Sequence, residues 1–248
     1  MKRFLAITAL IASFSQLSTA QTTPTDPLPP RDSKVYTSSS LDGALFSMST
    51  SSYNGITNIP RFSYFINSGM NVNKDFSSHF GMYAGFGVKN LGYIEKGNTT
   101  SGVSITVKRR VYAVGIPLGF KFGNLKPKGT FGLIGGGVDF PTNYKIKTFT
   151  DGRKNKTKSN EWFSKEVTPV MPYVFAGISL KGNFTIRFQY YPGNFMNQDY
   201  KDANGAKIYS NMESKLALVS LSFNVKNKSD GKMSQTFKAI FHHEKKKA

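Results

Sequence analysis

The clearest pattern in the chain is a strict alternation of apolar and polar side chains along Phe184–Tyr191. Residues two apart share one face of a β-strand. One face of this segment is therefore apolar or aromatic, while the other carries the polar residues, including Arg187. A soluble sandwich turns the apolar face inward, whereas a membrane barrel turns it outward to lipid and directs the polar face into its lumen.

The rest of the chain favours the membrane barrel. Seven further segments are also predicted to be strands; six of them alternate in the same way, and one, about residues 168–180, is apolar on both faces. The connections between the strands are alternately long and short, as in up-and-down outer-membrane barrels. A soluble lipocalin-type barrel also has eight strands but places apolar residues inside. We therefore predict an all-β fold, an eight-stranded antiparallel up-and-down transmembrane β-barrel with short periplasmic turns and longer outer loops. The predicted strands are about 42–51, 61–71, 79–94, 106–122, 130–144, 168–180, 184–191 and 213–225.

Strand parity predicts a polar cluster inside this barrel. Small residues such as Gly115 and Gly119 share the face opposite the bulky one, as a narrow eight-stranded lumen filled by side chains requires. An Arg at mid-membrane on the lipid face would cost about 2–4 kcal/mol, so Arg187 is expected to point inward. We interpret the cluster as a structural plug, with a narrow anion path as the alternative. Its members are Arg61, Lys89, Arg109, Lys121, Asp139, Arg187 and Gln189.

The ends of the chain predict export and two short flanking segments. Residues 1–20 have a basic start, a short apolar core and a small-residue cleavage site, which is typical of a signal peptide. Residues 21–40 are predicted to be a Pro-rich periplasmic linker and 41–225 the barrel. Residues 226–248 form a basic periplasmic tail with apolar residues at the spacing of a short amphipathic helix. We expect the mature protein in the cell outer membrane, after export through the inner membrane and cleavage of the signal peptide.

The formal net charge is +19 at pH 7, and much of it falls in the predicted outer loops. Cations at that level would gain charge-assisted contacts with phosphate-bearing lipopolysaccharide; a solvated, mobile loop is the alternative. Nucleic acid is not an expected partner, because charge alone is non-specific. The outer-loop basic patch comprises Lys108, Arg110, Lys145, Lys147, Arg153, Lys154, Lys156 and Lys158.

Catalytic chemistry has little support in the sequence. There is no Cys, which excludes a cysteine nucleophile and a thiolate metal site. The three His residues lie at a predicted turn, His79, and in the tail, His242 and His243. Because none lies beside a plausible Ser and acid pair, we predict no enzyme activity, no metal site and no cofactor.

With strands, signal peptide and loop alternation in place, the chain resembles the outer-membrane-protein β-barrel domain family of Gram-negative bacteria. These are small porin-family barrels similar to the eight-stranded OmpA- and OmpX-type proteins. The resemblance covers about residues 41–225 and includes stretches 115–122 and 190–195 and a last strand ending in the aromatic Phe223. It implies insertion by the barrel-assembly machinery, which reads a terminal aromatic. Members often end near that aromatic, whereas here residues 224–248 follow it.

These features lead to a non-enzymatic integral barrel with a side-chain-filled lumen, which contributes to envelope integrity or surface interaction through basic outer loops. Its expected partners are outer-membrane lipid and lipopolysaccharide. One alternative is an accessory barrel of a secretion or envelope-assembly machine similar to the type IX system, with a periplasmic partner bound through the tail. The others are a narrow anion-permeable pore and a secreted lipocalin-like binder.

Overall fold

A computed structural model describes residues 34–49, 56–62, 66–98, 101–151, 155–181 and 183–226. Within these ranges no helix has the length and hydropathy needed to cross a membrane. The strands of the described residues are β1 (Lys34–Ser49), β2 (Thr57–Ile59), β3 (Ile66–Asp75), β4 (Phe80–Asn98), β5 (Ser104–Gly123), β6 (Phe131–Thr150), β7 (Asn155–Trp162), β8 (Met171–Ser179), β9 (Phe184–Tyr191) and β10 (Leu216–Lys226).

Eight of these strands close into a ring in the order β1, β3, β4, β5, β6, β8, β9 and β10, and β10 pairs with β1 again. Every neighbouring pair is antiparallel, and ring order follows chain order. The chain is thus an eight-stranded antiparallel up-and-down barrel, which confirms the predicted fold class. The two remaining strands extend the sheet beyond the ring, since β2 pairs with β4 and β7 pairs with β6.

The strand bounds depart from prediction at the start of the barrel. β1 begins at Lys34, so residues 34–40, predicted to be linker, pair instead with β3 and β10. The last proline before β1 is Pro30, so no missing backbone N–H prevents sheet pairing from Lys34 onward. The predicted signal peptide, residues 21–33 of the linker and tail residues 227–248 lie outside the described residues.

The barrel has two distinct ends. Connections 76–79, 124–130 and 180–183 are short and lie at one end, where β1 also begins and β10 also ends; we call this the turn end. The opposite end, which we call the loop end, carries the connections that include β2, β7 and residues 192–215. The predicted longer connections are present after β1, β6 and β9, but β4 and β5 are joined by residues 99–103 alone, because both strands extend beyond their predicted bounds.

The outer surface near the turn end is apolar. Along β5, the outward side chains from Val114 to Phe122 are 40% to 53% exposed, while the alternate residue Lys121 is 2% exposed. β9 repeats the pattern, with Phe184, Ile186 and Phe188 exposed around the buried Arg187. A continuous apolar band of this kind is the lipid-facing surface of a transmembrane barrel, because water-soluble monomers rarely expose large apolar patches.

β5 and β6 are 20 residues long, about twice the 9–11 residues that cross a bilayer. Their loop-end halves, with β4 and β7, form a sheet beyond the apolar band. The basic residues at this end are thus mostly in strands and not in loops.

Candidate functional site

The middle of the lumen holds a buried ion pair. Lys89 Nζ lies 3.0 Å from Asp139 Oδ1, and Asp139 is fully buried. The Tyr191 hydroxyl donates to the other carboxylate oxygen, and the ammonium of Lys89 lies 3.8 Å from the centre of the Tyr173 ring. Gly115 leaves space for the pair, because a Cβ there would lie 3.1 Å from Lys89 Cε.

A second ion pair lies toward the turn end. Lys121 Nζ is 2.5 Å from Asp75 Oδ1 and also donates to Tyr36 Oη at 2.9 Å and Asn73 Oδ1 at 3.1 Å. All three hydrogen bonds of this ammonium are therefore used within the barrel wall.

A third ion pair lies toward the loop end. Arg109 Nε donates to Glu95 Oε2 at 3.0 Å, and its Nη1 donates to the Tyr144 hydroxyl at 2.8 Å. Above it, Tyr209 donates to Glu166 at 2.7 Å, and desolvation with this hydrogen bond raises the pKa of the Tyr209 hydroxyl. The sequence indicated Asp139 as the only clear acid in the lumen and missed Asp75 and Glu95, although both share strand parity with their partners' face.

An apolar cap fills the loop-end mouth. Residues 192–215 fold over it, and Phe195 and Met196 are fully buried against Tyr93, which is itself fully buried. The rings of Tyr93 and Phe195 meet edge to face at 5.3 Å. The backbone of the cap is fixed by Asn194 and Ser214, whose bonds include Phe195 N to Ser214 O at 2.9 Å.

Two predicted cluster members differ from the ion-paired ones. Arg187 is 8% exposed, stacks 5.2 Å from the Phe175 ring centre and makes no hydrogen bond among the described residues. Gln189 is also buried, with its Nε2 unpartnered in the same part of the chain.

Arg61 is not a member of the three ion pairs. It forms an isolated bridge with Ser47, and its guanidinium donates to Asn90 Oδ1. Ser47 is fully buried and pairs with Leu218 of the core, so the bridge gives Arg61 an inward parity. Asn90 is only 1% exposed, so the contact is buried. Membership of Arg61 in the lumen cluster stays a prediction.

The outward face of the sheet beyond the apolar band carries an array of cations. Three rows cross β4, β5, β6 and β7 in register, and together they contain seven Lys or Arg residues and no acid. All seven cations point to the same face of the sheet as the outward apolar residues of β5. We call this array the basic face; it consists of Lys96, Lys108, Arg110, Lys145, Lys147, Lys156 and Lys158.

Like charges lie directly opposite each other on this face. Lys147 pairs with Lys108 on one side and with Lys158 on the other, and Arg110 pairs with Lys145. Desolvation, followed by repulsion from Lys156 and other neighbouring cations, lowers the pKa of Lys147. Such cross-strand pairs destabilise a sheet, so bound anions would relieve a repulsion that the sheet itself leaves uncompensated.

Two aromatic rings are interleaved with the cations. Lys108 and Lys156 lie 5.3 Å and 5.6 Å from the centre of the Phe149 ring. Arg110 and Lys145 similarly approach Tyr112 at 5.3 Å and 5.6 Å. These contacts hold the cations against the sheet and leave their outer sides accessible.

Six residues of the predicted outer-loop patch belong to the basic face, but in strands and not in loops. Lys96, the seventh member, was missed because the sequence ended that strand at residue 94. The other two predicted members, Arg153 and Lys154, lie outside the described residues. The lysines meet on one face only because β7 pairs in register with β6. The sequence of β7 is mostly polar and does not alternate, so it did not predict a strand.

Two further predicted positions, Phe223 and His79, lie near the turn end. Phe223 lies in β10, is 41% exposed and has its ring 5.2 Å from that of Phe184. His79 lies at the turn end with its ring bonded to Ser78 at 2.9 Å. The described ranges contain no cluster of His, Cys or acidic residues suited to a metal.

No protein-family model matches the chain, and no curated protein matches it significantly. Among solved structures, it is similar to Neisserial surface protein A, with 10% identity, a TM-score of 0.34, and coverage of 78% of this chain and 97% of that one. It is also similar to Ail, the attachment invasion locus protein of Yersinia pestis, with 15% identity, a TM-score of 0.30, and coverage of 77% and 99%. At these identities and scores, neither similarity carries a conclusion about this chain.

Proposed function

We propose that this protein is a non-enzymatic integral barrel of the outer membrane whose basic face binds the phosphate groups of neighbouring lipopolysaccharide. The observation that carries the proposal is the in-register array of seven cations without an acid. Its turn end would face the periplasm, and its loop end the cell exterior. The role would be envelope integrity or attachment at the surface.

The direction of the array supports a lipid partner. Arg110 and Lys108 continue the same β5 face as Val114 and Ile116, so the cations project sideways above the apolar band and not upward. A lipid molecule packed against that band would therefore present its head group to the array. Each cation near an anionic surface contributes about 1 kcal/mol at moderate ionic strength.

The experiment compares two triple variants with the same loss of charge. Lys108→Gln, Lys147→Gln and Lys158→Gln remove the centre row of the basic face. Lys74→Gln, Lys126→Gln and Lys181→Gln remove three exposed lysines near the turn end. Binding of purified lipopolysaccharide to detergent-solubilised protein is measured at low and at high salt.

The basic-face variant is expected to bind at least about tenfold more weakly at low salt, since each 1.4 kcal/mol is a factor of ten. The turn-end variant should bind as the parent does, and high salt should reduce the difference. Equal affinity of both variants, or an effect insensitive to salt, would contradict the proposal.

We also propose a route by which the protein reaches its membrane. The exported chain would be inserted by the barrel-assembly machinery through β10, whose outward Phe223 offers the terminal aromatic. A role in a secretion machine depends on tail residues 227–248, which lie outside the described residues. Neither the pore nor the lipocalin-like alternative gains support, because ion pairs and an apolar cap fill the lumen.

A further inference from the structure

A polar chamber lies inside the barrel near the turn end, away from the basic face. It has a volume of about 80 Å³ and is lined by Arg187 and Lys121 with Tyr83, Asn73, Thr185 and Asn224 among others. A water molecule needs about 10–15 Å³ of such space, so the chamber has room for one small ion with several waters.

Two buried hydrogen-bond donors that border this chamber lack a partner among the described residues. The Nε of Arg187 and the hydroxyl of Tyr83 are both buried without a hydrogen bond. An unpaired buried donor is costly, and a charged one more so. An ion or water in the chamber would satisfy these groups.

The charges around the chamber favour an anion as the occupant. Of the two cations that line it, Lys121 has its three hydrogen bonds within the wall, whereas Arg187 has none. Among the described residues, no acidic side chain lines the chamber. Asp42 interacts electrostatically with Arg187 but forms no hydrogen bond with it in the described structure, and one oxygen of its own carboxylate is buried without a partner.

We propose that the chamber binds a small inorganic anion of halide size, held by the guanidinium of Arg187 and the hydroxyl of Tyr83. The flat guanidinium is fixed against Phe175, which leaves its N–H groups as the donors for the ion. Gly119 keeps the Tyr83 and Phe175 rings in place, because a Cβ at that position would lie 2.7 Å and 2.8 Å from them.

The test uses the full chain, with Lys108→Gln, Lys147→Gln and Lys158→Gln already introduced so that halide cannot act through the basic face. Thermal unfolding is measured in sodium bromide and in sodium gluconate at equal ionic strength. Bromide at about ten times its dissociation constant should raise the midpoint by about 2–4 °C relative to the larger gluconate ion. Crystals soaked in bromide should show an anomalous peak beside Arg187.

Arg187→Gln should abolish the bromide effect, and Tyr83→Phe should reduce it without changing any charge. Lys126→Gln, an exposed turn lysine, is the control and should leave it intact. If Arg187→Gln fails to fold, as judged by loss of heat-modifiable gel migration, Tyr83→Phe decides the matter alone. Equal midpoints in the two salts, a chamber without a bromide peak, or an unchanged effect in Tyr83→Phe would each overturn the proposal and leave water as the occupant.

Discussion

The two halves of β5 have the same alternation but opposite polarity. Near the turn end its outward residues are apolar, as at Leu118, and its inward residues include the buried cation Lys121. Near the loop end its outward residues include Lys108 and Arg110, while the inward Val111 is fully buried against an apolar core. The strand changes its surroundings at about Tyr112 without changing its parity. The simplest physical reason is that lipid surrounds one half and water the other.

The inversion shows why neither half can be interpreted alone. The lipid-facing half keeps its polar groups in the lumen, where Lys89 and Lys121 each have an acidic partner within 3.0 Å. The water-facing half keeps its apolar groups and the ion pair of Arg109 with Glu95 under the cap, and it carries the cations of the basic face on its outward side. The basic face thus begins where the apolar band ends.

The largest effect is expected from breaking the central ion pair of the lipid-facing half. Asp139→Ala leaves Lys89 buried without its acidic partner, which should cost about 3–5 kcal/mol. Unfolding in urea measured with the barrel in detergent micelles provides the free energy. A loss below about 1 kcal/mol would show that water reaches Lys89 and that the lumen is not filled.

A matched pair of arginine substitutions tests the polarity change directly. Leu118→Arg places a charge in the apolar band and should destabilise the membrane-inserted barrel by about 2–4 kcal/mol. Thr106→Arg places the same charge on the same β5 face near the loop end, opposite Lys96, and should cost at most about 1 kcal/mol. Equilibrium unfolding from lipid vesicles gives the free energy of unfolding of both variants. Similar losses at the two positions would contradict a lipid-facing half and a water-facing half of β5.

A smaller effect is expected from crowding the lumen. Gly119→Ala would force its Cβ against the rings of Tyr83 and Phe175, and overpacking of this kind costs about 1–3 kcal/mol. Gly193→Ala is the control, because a Cβ there meets nothing within 4 Å. Urea unfolding should separate the two variants, and equal stability would mean that the lumen side chains move aside freely.

The smallest effect concerns repulsion within the basic face. Lys147→Thr should stabilise the protein by a few tenths of a kcal/mol, since the charges are exposed and partly screened. The pKa of Lys147 is lowered on folding, so the folded state is disfavoured while this lysine is charged. The free energy of unfolding should therefore increase as the pH rises from the lowered pKa of Lys147 to the ordinary lysine pKa. The Lys147→Thr variant should lack this contribution. If Lys147→Thr lowers the free energy of unfolding, then repulsion between Lys147 and its neighbours does not destabilise the sheet.

Much of the barrel could be predicted because period-two alternation is a local signal. β9 has the predicted bounds, 184–191, since its alternation is unbroken. β7 was missed because its eight residues, polar except for Trp162, form a strand only through pairing with β6. The site was predicted less completely, since Asp75 and Glu95 fell in expected connections. Three-dimensional register, which sequence alone does not supply, decides which lysines meet on the basic face.

The central claim is that β5 passes from lipid to water at about Tyr112. Because the chain contains no Cys, single cysteines can be introduced without background at positions 106, 108, 110, 114, 116, 118 and 120 of the outward face. Each variant, reconstituted in vesicles, is labelled with a membrane-impermeant maleimide. The account predicts rapid labelling at 106, 108 and 110 and protection from 114 to 120. Rapid labelling at every position would contradict a membrane-spanning barrel, and protection at 106 to 110 would contradict a basic face beyond the lipid.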